Sequence, residues 1–250
     1  LDQILAVLVE ELGPDWESRF SSFETEPLAT ASIAQVHTAT LHSGEGVVLK
    51  VQRPGVGALV EADLRILRFL ARRAVEEWPD LAAADPDSLL REFERTMMSE
   101  LDFRREAEHM RRFRGMYADT DWVVIPEVME DAVTQRVLCM ERLHGVPIRH
   151  ARDAGFEMKT LGERYLEVVF SMLLAKGFFH GDLHPGNVLA LPGERLGLLD
   201  FGMVGSLSDK MREQLVTMIF ALQRGDQRTI ARVLAEIAIK DGRLDFRARE

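Results

Sequence analysis

The stretch "HGDLHPGN" at residues 180–187, read together with "LLDFG" at residues 198–202, decides how this chain is interpreted. It follows the apolar run "VVFSMLLAKGFF" and gathers polar and turn-forming residues, which is typical of a loop. Asn187 comes five positions after Asp182, and Asp200 comes 13 positions after Asn187. A polar turn stabilised by asparagine hydrogen bonds explains the asparagine and the glycines, but not the acids at these offsets.

The spacing of these three residues favours chemistry over a simple turn. The short segments "VLAL" and "RLGLLDF", separated by Pro192-Gly193, predict two returning strands that bring Asp200 beside Asn187. An oxygen pair of this kind suits Mg²⁺, a hard cation whose other ligands are commonly water and phosphate oxygens. Asp182 would then orient an attacking hydroxyl, which is the layout of phosphoryl transfer in kinases.

Composition sets the outer limits. The chain has 250 residues, is 46% hydrophobic and carries a net charge of −10, so binding to nucleic acid through general phosphate attraction is disfavoured. Cys139 is the only cysteine, which excludes an internal disulfide framework and suits a reducing compartment. The sequence contains no long apolar run and no visible signal peptide, and we expect the protein to be cytoplasmic.

The order of the predicted elements indicates an α+β fold. A helix is expected over residues 1–13, a strand hairpin over 32–41 and 46–52, and a helix up to Trp78. Asp85 is predicted to cap one long helix that runs to about residue 117, and another helix is expected near 158–177. The division expected from this order is a β-rich N-lobe with extra helices, residues 1–140, and a mostly helical C-lobe, residues 141–250.

Lys50 lies in an otherwise apolar strand, "VVLKVQ", and is the candidate contact for nucleotide phosphates. The alternative is an edge-strand lysine that points to solvent. Asp102 and Glu106 lie on one face of a predicted helix, where two acids repel each other unless a cation is near. Lys50 or a metal ion is the cation considered; a solvated acidic face balanced by neighbouring arginines is the other explanation.

Five segments occur in the order expected for one family. The segments "PLATASIAQVH", "VVLKVQRPGV", "SELDFRREAEHM", "HGDLHPGN" and "LLDFG" resemble the UbiB/AarF-type (ADCK-like) atypical kinases, a branch of the protein-kinase-like bilobal fold. The resemblance runs from about Leu12 through the last helices. Residues 28–41 contain no glycine, and the turn "ATAS" resembles the family's alanine-rich loop, although Thr30 stands where alanine is more usual. The family's N-terminal Lys-x-Gly-Gln motif is absent, and we expect the chain to be truncated at both ends.

The resemblance implies a role for each matching position. Asp182, Lys50 and Glu106 would be catalytic, with Glu106 holding Lys50, and Asn187 and Asp200 would bind the metal. The Glu-x-Asp element, Glu100 and Asp102, would be regulatory by occluding the usual protein-substrate site. Besides Lys50, the nucleotide-binding residues implied are the loop residues Ala29, Thr30, Ala31 and Ser32 and the hinge residues Met140, Glu141 and Leu143.

The activity implied is that of an ATP- and Mg²⁺-dependent atypical kinase or ATPase that supports isoprenoid quinone biosynthesis or lipid homeostasis. Peptide substrates are disfavoured, since only "MVG" separates Gly202 from Ser206-x-x-Asp209, a predicted capping box, and no Ala-Pro-Glu follows. Expected partners are the nucleotide and, through segments outside this chain, a lipid or quinone precursor and a membrane surface. The alternatives are a small-molecule phosphotransferase of the aminoglycoside or choline kinase type, and a nucleotide-binding pseudokinase scaffold.

Overall fold

The protein is described by a computed structural model over residues 1–240, so the last ten residues of the predicted C-lobe lie outside the described residues. The α-helices are α1 (Asp2–Leu12), α2 (Val56–Glu77), α3 (Pro86–Glu100), α4 (Phe103–Met116), α5 (Met158–Phe170), α6 (Asp209–Arg224) and α7 (Gln227–Lys240). The strands are β1 (Phe20–Phe23), β2 (Ala29–Thr30), β3 (Ala34–Leu41), β4 (Gly46–Gln52), β5 (Val123–Val124), β6 (Val128–Val133), β7 (Val137–Glu141), β8 (Val146–Pro147), β9 (Phe178–His180), β10 (Val188–Leu191), β11 (Arg195–Leu198) and β12 (Val204–Ser206).

The largest sheet contains the predicted hairpin. Its strands follow the order β1-β3-β4-β7-β6, all antiparallel, with β2 folded onto β3. The register places Lys50 of β4 between Val36 of β3 and Leu138 of β7. Lys50 therefore lies on a central strand, and the alternative of a solvent-facing edge lysine is wrong.

The two faces of this sheet have different roles because successive side chains alternate between them. One face joins Leu49 and Cys139 to a buried apolar core that includes Leu8 of α1 and Trp16. Lys50 lies one residue away from Leu49 and projects from the opposite face. The apolar core thus anchors β4 from behind and leaves Lys50 on the face where a polar site can form.

The long helix expected over residues 86–117 is wrong: the structure has two helices, α3 and α4, separated at Leu101 and Asp102. Asp102 has extended backbone angles, φ −117° and ψ 94°, and its side chain accepts a hydrogen bond from the Arg104 N–H. The Phe103 N–H donates to the Gln135 carbonyl in the β6–β7 turn. A capping aspartate and a tertiary hydrogen bond together outweigh helical continuity here.

The returning strands predicted around Pro192-Gly193 are confirmed. β10 and β11 pair antiparallel, and β5 and β8 extend them to a four-stranded sheet. The Leu199 N–H donates to the Asn187 carbonyl, which places the start of the "LLDFG" segment beside the end of the 180–187 loop.

Contacts divide the chain into two compact units. The first contains Leu1–Leu161 and Asp182–Met203, and the second contains Gly162–Gly181 and the described residues from Val204 onward. The predicted lobe boundary near residue 140 stays a prediction, while the loop residues from Asp182 to Met203 belong to the same unit as the large sheet. Among the described helices, none has the length and apolar character needed to cross a membrane.

Two details of the second unit correct the sequence expectations. The helix expected near 158–177 is α-helical only as far as Phe170, where α5 ends. A π-helical turn follows over Ser171–Lys176. The capping box expected at Ser206 is wrong, because Ser208 is the N-cap of α6 and its hydroxyl accepts from the Met211 N–H. Ser206 instead ends β12, which pairs with β9.

Replacing the cap at the α3–α4 break provides a test of this local structure. Asp102→Ala should lower the free energy of unfolding by about 1 kcal/mol, because the Arg104 N–H loses its acceptor. Asp102→Asn is the matched control, since asparagine caps equally well but carries no charge. Chemical denaturation of both variants measures the difference, and equal losses in the two would contradict the capping role.

The same pair of variants predicts a pH dependence. The hydrogen bond from the Arg104 side chain lowers the pKa of Asp102 below its usual value of 3.8. The contribution of the ionised Asp102 carboxylate to the free energy of unfolding is therefore fully present above pH 3.8. It is lost as the pH falls through the lowered pKa of the folded state. Wild-type stability should decline more steeply than that of Asp102→Asn in that range.

Candidate functional site

Lys50, Glu106 and Asp200 meet at one point of the first unit. The Lys50 Nζ atom lies 2.9 Å from both carboxylate oxygens of Glu106 and 3.1 Å from Oδ1 of Asp200. Glu106 is only 4% exposed and Lys50 is 9% exposed, whereas the Asp200 side chain is 49% exposed. The arrangement is a buried ion pair with a third, accessible carboxylate attached to its outer side.

The charge on Lys50 is favoured by its neighbours. Burial alone would lower the pKa of Lys50, but the attraction of Glu106 and then of Asp200 raises it above its usual value. The Phe103 ring, whose centroid is 5.3 Å from Nζ, adds a cation–π contact. Lys50 is therefore a fixed positive charge with one partner buried and the other open to solvent.

Two residues of this site were missed by the sequence interpretation. Gln52 is buried two positions after Lys50, and its side-chain amide donates to the Leu101 carbonyl at the end of α3. Phe103 is the first residue of α4. Strand alternation could have identified Gln52 because residues two apart share a face, but the position of Phe103 depends on the helix break.

The Glu-x-Asp pair separates into two environments. The Asp102 carboxylate caps α4 and pairs with the Arg104 guanidinium. Glu100 is half-buried, and burial raises its pKa; the charges of Asp200 and Asp182 raise it further, while Lys50 opposes them. The charges of the predicted site therefore act on Glu100, whereas Asp102 caps the backbone at the start of α4.

The 182–187 loop is organised by its own polar groups. The Asn187 Nδ2 atom donates to the Asp182 carbonyl at 2.9 Å, which leaves the Asn187 Oδ1 atom as the one suited to a cation. The Asn187 N–H donates to the His184 carbonyl. The His184 Nδ1 atom accepts from the Gly186 N–H, so a neutral His184 carries its proton on Nε2, which lies 3.8 Å from Oδ2 of Asp182.

Asp200 has an uncommon backbone conformation. Its φ of +56° is in the left-handed region, which costs energy for a residue with a Cβ atom. The next residue, Phe201, is fully buried, and its carbonyl accepts a 2.8 Å hydrogen bond from His109 of α4. The contacts of Phe201 thus hold Asp200 in this conformation.

The loop and hinge residues predicted for the nucleotide are in different local settings. Ala29 and Thr30 form β2 and pair with β3, so the turn lies at residues 32–33, where the Ala31 N–H donates to the Ala34 carbonyl. The stretch Ala29–Ser32 is exposed. This corrects the expectation that all four residues form the turn.

In the predicted hinge, Met140 lies in β7 on the same sheet face as Lys50. The N–H groups of Glu141 and Arg142 donate to the carbonyls of Glu127 and Gly46. Leu143 follows directly and has intermediate exposure. Backbone recognition of a base at this hinge would therefore depend on its carbonyls and on Leu143.

A preformed cation cage is not part of this arrangement. Across residues 1–240, no group of three or more histidine, cysteine or acidic side chains has the geometry of a metal site. The candidate donors are instead one carboxylate, Asp200, and one amide oxygen, Asn187. Mg²⁺ typically takes few protein ligands of this oxygen type and completes its shell with phosphate and water, so these residues fit it.

Removing Lys50 should expose the cost of burying Glu106. Lys50→Met leaves a buried carboxylate without its cation and should lower the free energy of unfolding by about 3 kcal/mol at neutral pH. Burial then raises the folded-state pKa of Glu106 above 4.5, so stability should fall as the pH rises through and above that value.

The matched control is Lys50→Met combined with Glu106→Leu, which replaces the whole ion pair by apolar groups and should regain most of the lost stability. Chemical denaturation at several pH values measures all three proteins. A single variant as stable as the double variant, with no pH dependence, would contradict the ion pair.

Comparisons with known proteins identify relatives of this chain. A family model described as "ABC1 atypical kinase-like domain" matches residues 1–234. Among curated proteins, "Probable protein kinase UbiB" of Pseudomonas putida is 36% identical over 236 residues, covering 92% of this chain and 44% of that protein. The protein of the same name from Vibrio vulnificus is 37% identical over 235 residues, covering 90% of this chain and 43% of the relative.

A solved structure is also similar over almost the whole chain. The complex of Rv3197 with erythromycin from Mycobacterium tuberculosis has a TM-score of 0.77 and 30% sequence identity, and the match covers 95% of this chain and 60% of that one. The present chain thus spans less than half the length of the curated relatives reported above.

Proposed function

Because the chain belongs to the ABC1 atypical kinase-like family, we propose that it binds ATP with Mg²⁺ and catalyses phosphoryl transfer or ATP hydrolysis. The observation that carries the proposal is the single point at which Lys50, Glu106 and Asp200 meet. A lysine held by a buried acid, next to an accessible carboxylate, provides a fixed positive charge and a cation ligand side by side. In protein kinases the strand lysine contacts the α- and β-phosphates, and the cation bridges the β- and γ-phosphates.

In this proposal Lys50 binds phosphate oxygens and Glu106 fixes the direction of its side chain. The pair is preorganised, since Nζ already lies 2.9 Å from both Glu106 oxygens. A charge that needs no reorientation at the moment of reaction stabilises developing negative charge most effectively. Asp200 contacts Lys50 through Oδ1, which keeps its carboxylate beside that charge.

Asn187 and Asp200 would hold Mg²⁺, whose contribution when bound is to neutralise charge on the phosphate oxygens. Glu100 adds a third negative charge to the same field, as its raised pKa indicates. We propose that Glu100 tunes the affinity of this site for cations. Asp102, occupied as a helix cap, would influence the site only through the position of α3 and α4.

Asp182 is the group that would orient the acceptor hydroxyl or water. Its carbonyl is fixed by Asn187, and its carboxylate is half exposed, with His184 3.8 Å away. The loop therefore holds the carboxylate near the surface, where a nucleophile can reach it. General-base assistance of this kind contributes a rate factor of about 10² to 10⁴.

The adenine would bind on the face of the sheet that carries Lys50. Val36 and Leu138 flank Lys50 there, with Met140 further along β7. The hinge residues Met140, Glu141 and Leu143 would contact the base, and Ala29, Thr30, Ala31 and Ser32 would cover the phosphates. The Cβ atoms of that loop make it stiffer than a glycine-rich one.

For the acceptor, we propose a small or lipid-linked molecule such as an isoprenoid quinone precursor, in preference to a peptide. Support comes from the short segment between Asp200 and α6. Because α6 begins at Asp209, few residues are left there to form a binding platform for a peptide. Membrane association would depend on segments beyond this chain.

The alternative of an aminoglycoside- or choline-kinase-like enzyme is disfavoured by "ATASIAQVH" and Glu100-Leu-Asp102. A pseudokinase scaffold is disfavoured by the intact Lys50 and Asp200.

The first test is the thermal stability of the protein with ATP, with and without Mg²⁺. Ligand at about a hundred times its dissociation constant should add roughly 2.7 kcal/mol, a shift that thermal denaturation detects readily. Asp200→Asn should lose the Mg²⁺-dependent part because the metal loses its carboxylate. The matched control, Asp153→Asn at an exposed position, should respond like the wild type. A Mg²⁺ response retained in Asp200→Asn would refute the metal assignment.

A second variant separates binding from chemistry. Asp182→Asn should retain the Mg·ATP-dependent stabilisation but lower the rate of ATP turnover by about 10² or more, because the amide cannot accept a proton. Phosphate release, measured beside the thermal shift, gives both quantities. Turnover unchanged in this variant would remove Asp182 from the reaction, whereas ATP binding without turnover in the wild type would favour the scaffold alternative.

A further inference from the structure

One face of α4 holds Phe201 at three points. The Phe201 N–H donates to the Glu106 carboxylate, and the Phe201 carbonyl accepts from His109 Nδ1 at 2.8 Å. The Phe201 ring packs against the Phe113 ring, with 5.0 Å between centroids and 50° between planes. Residues 106, 109 and 113 are spaced i, i+3 and i+7, so they share one face of a helix.

These contacts bear on the residue that precedes Phe201. Asp200 has a φ of +56°, a conformation that persists in a non-glycine residue only when its surroundings enforce it. The Asp200 carboxylate contacts Lys50, while the backbone following it is held through Phe201. Whatever fixes the Phe201 main chain therefore also fixes the direction in which the Asp200 carboxylate projects.

The donor in the His109 contact is unambiguous in chemical terms. A carbonyl oxygen only accepts hydrogen bonds, so the Nδ1 atom of His109 must carry a proton. The hydrogen bond joins residues 92 positions apart, and His109 is one turn from Glu106 on the same helix. Helix α4 therefore positions both residues. It contacts Lys50 through Glu106, and it contacts the backbone next to Asp200 through His109.

We propose that His109 is a positioning residue that holds Asp200 in its cation-binding orientation through the Phe201 carbonyl. This inference rests on the proposed function, since the orientation matters only if Asp200 binds a cation. His109 does not touch the nucleotide or the metal in this proposal. Its loss leaves the Lys50–Glu106 pair in place and loosens the backbone that carries Asp200.

Two substitutions distinguish positioning from a general structural role. Asparagine can place its Nδ2–H where His109 has Nδ1–H, because both atoms are bonded to Cγ. Leucine fills the same positions with methyl groups and donates nothing. Leucine is the better helix former of the two. If only helix stability matters, His109→Leu should resemble the wild type more closely, whereas if the hydrogen-bond donor matters, His109→Asn should.

The experiment compares wild type, His109→Leu and His109→Asn in a Mg²⁺ titration of ATP-dependent thermal stabilisation. His109→Leu should raise the Mg²⁺ concentration at half-saturation about ten-fold, as expected for the loss of one well-placed hydrogen bond. ATP binding without Mg²⁺ should be unchanged in it, and His109→Asn should recover most of the Mg²⁺ affinity. Glu108→Gln, at an exposed position on α4, is the control that should match the wild type.

Hydrogen exchange at the Phe201 amide, measured in the ligand-free protein, provides a readout that needs no metal. It should be faster in His109→Leu by about ten-fold and near the wild-type rate in His109→Asn, because the lost hydrogen bond opens the segment locally. Equal exchange and equal Mg²⁺ affinity in wild type and His109→Leu would overturn the proposal. So would His109→Asn behaving no better than His109→Leu.

The outcomes also separate this inference from the proposed function. A wild-type protein without any Mg²⁺ response would refute the metal site, and with it the functional consequence of His109. A wild-type response that His109→Leu shares unchanged would leave the metal site standing and remove His109 alone. If His109→Leu did not fold, His109→Asn would still decide, since loss of Mg²⁺ affinity in that donor-retaining variant contradicts the proposal.

Discussion

The buried ion pair between Lys50 and Glu106 is the constraint on which the site depends. Glu106 is 4% exposed, and a carboxylate at that depth is tolerated only with a cation and hydrogen bonds around it. The pair therefore sets where α4 must lie relative to β4. Once that helix is in position, the side chains on its inner face become available to the neighbouring loop, and Asp200 completes the network at its accessible edge.

The helix break before α4 follows from the same constraint. Gln52, on the same face of β4 as Lys50, donates to the Leu101 carbonyl, and the Phe103 N–H donates to the Gln135 carbonyl. One continuous helix would leave these groups without their partners. Asp102 satisfies the exposed N–H of Arg104 at the start of α4. The two acids of this three-residue motif therefore lie in different settings: Asp102 caps a helix, and Glu100 is half-buried near the charges of Asp200 and Lys50.

The predictions that succeeded depended on local and periodic information. The β-branched residues of 32–41 and 46–52 identified the hairpin, and the turn at Pro192-Gly193 identified the two returning strands on either side of it. The predictions that failed concerned ends and breaks. Ser208 and not Ser206 caps α6, and the turn of the alanine-rich loop lies at residues 32–33. Boundaries of this kind are decided by a single hydrogen bond, which composition and period do not specify.

By itself, the sequence determined the α+β class, the strand that carries Lys50, the polar loop and the identity of the acids, because these depend on residue type and on short-range spacing. Only the tertiary structure decided that Asp200 also contacts Lys50, that Asp102 caps a helix, and that His109 contacts the Phe201 carbonyl. The first and the last of these contacts join residues 150 and 92 positions apart, and they depend on how α4 packs on the sheet. The packing of α4 depends on the buried ion pair and on apolar contacts between distant segments, which no local pattern encodes.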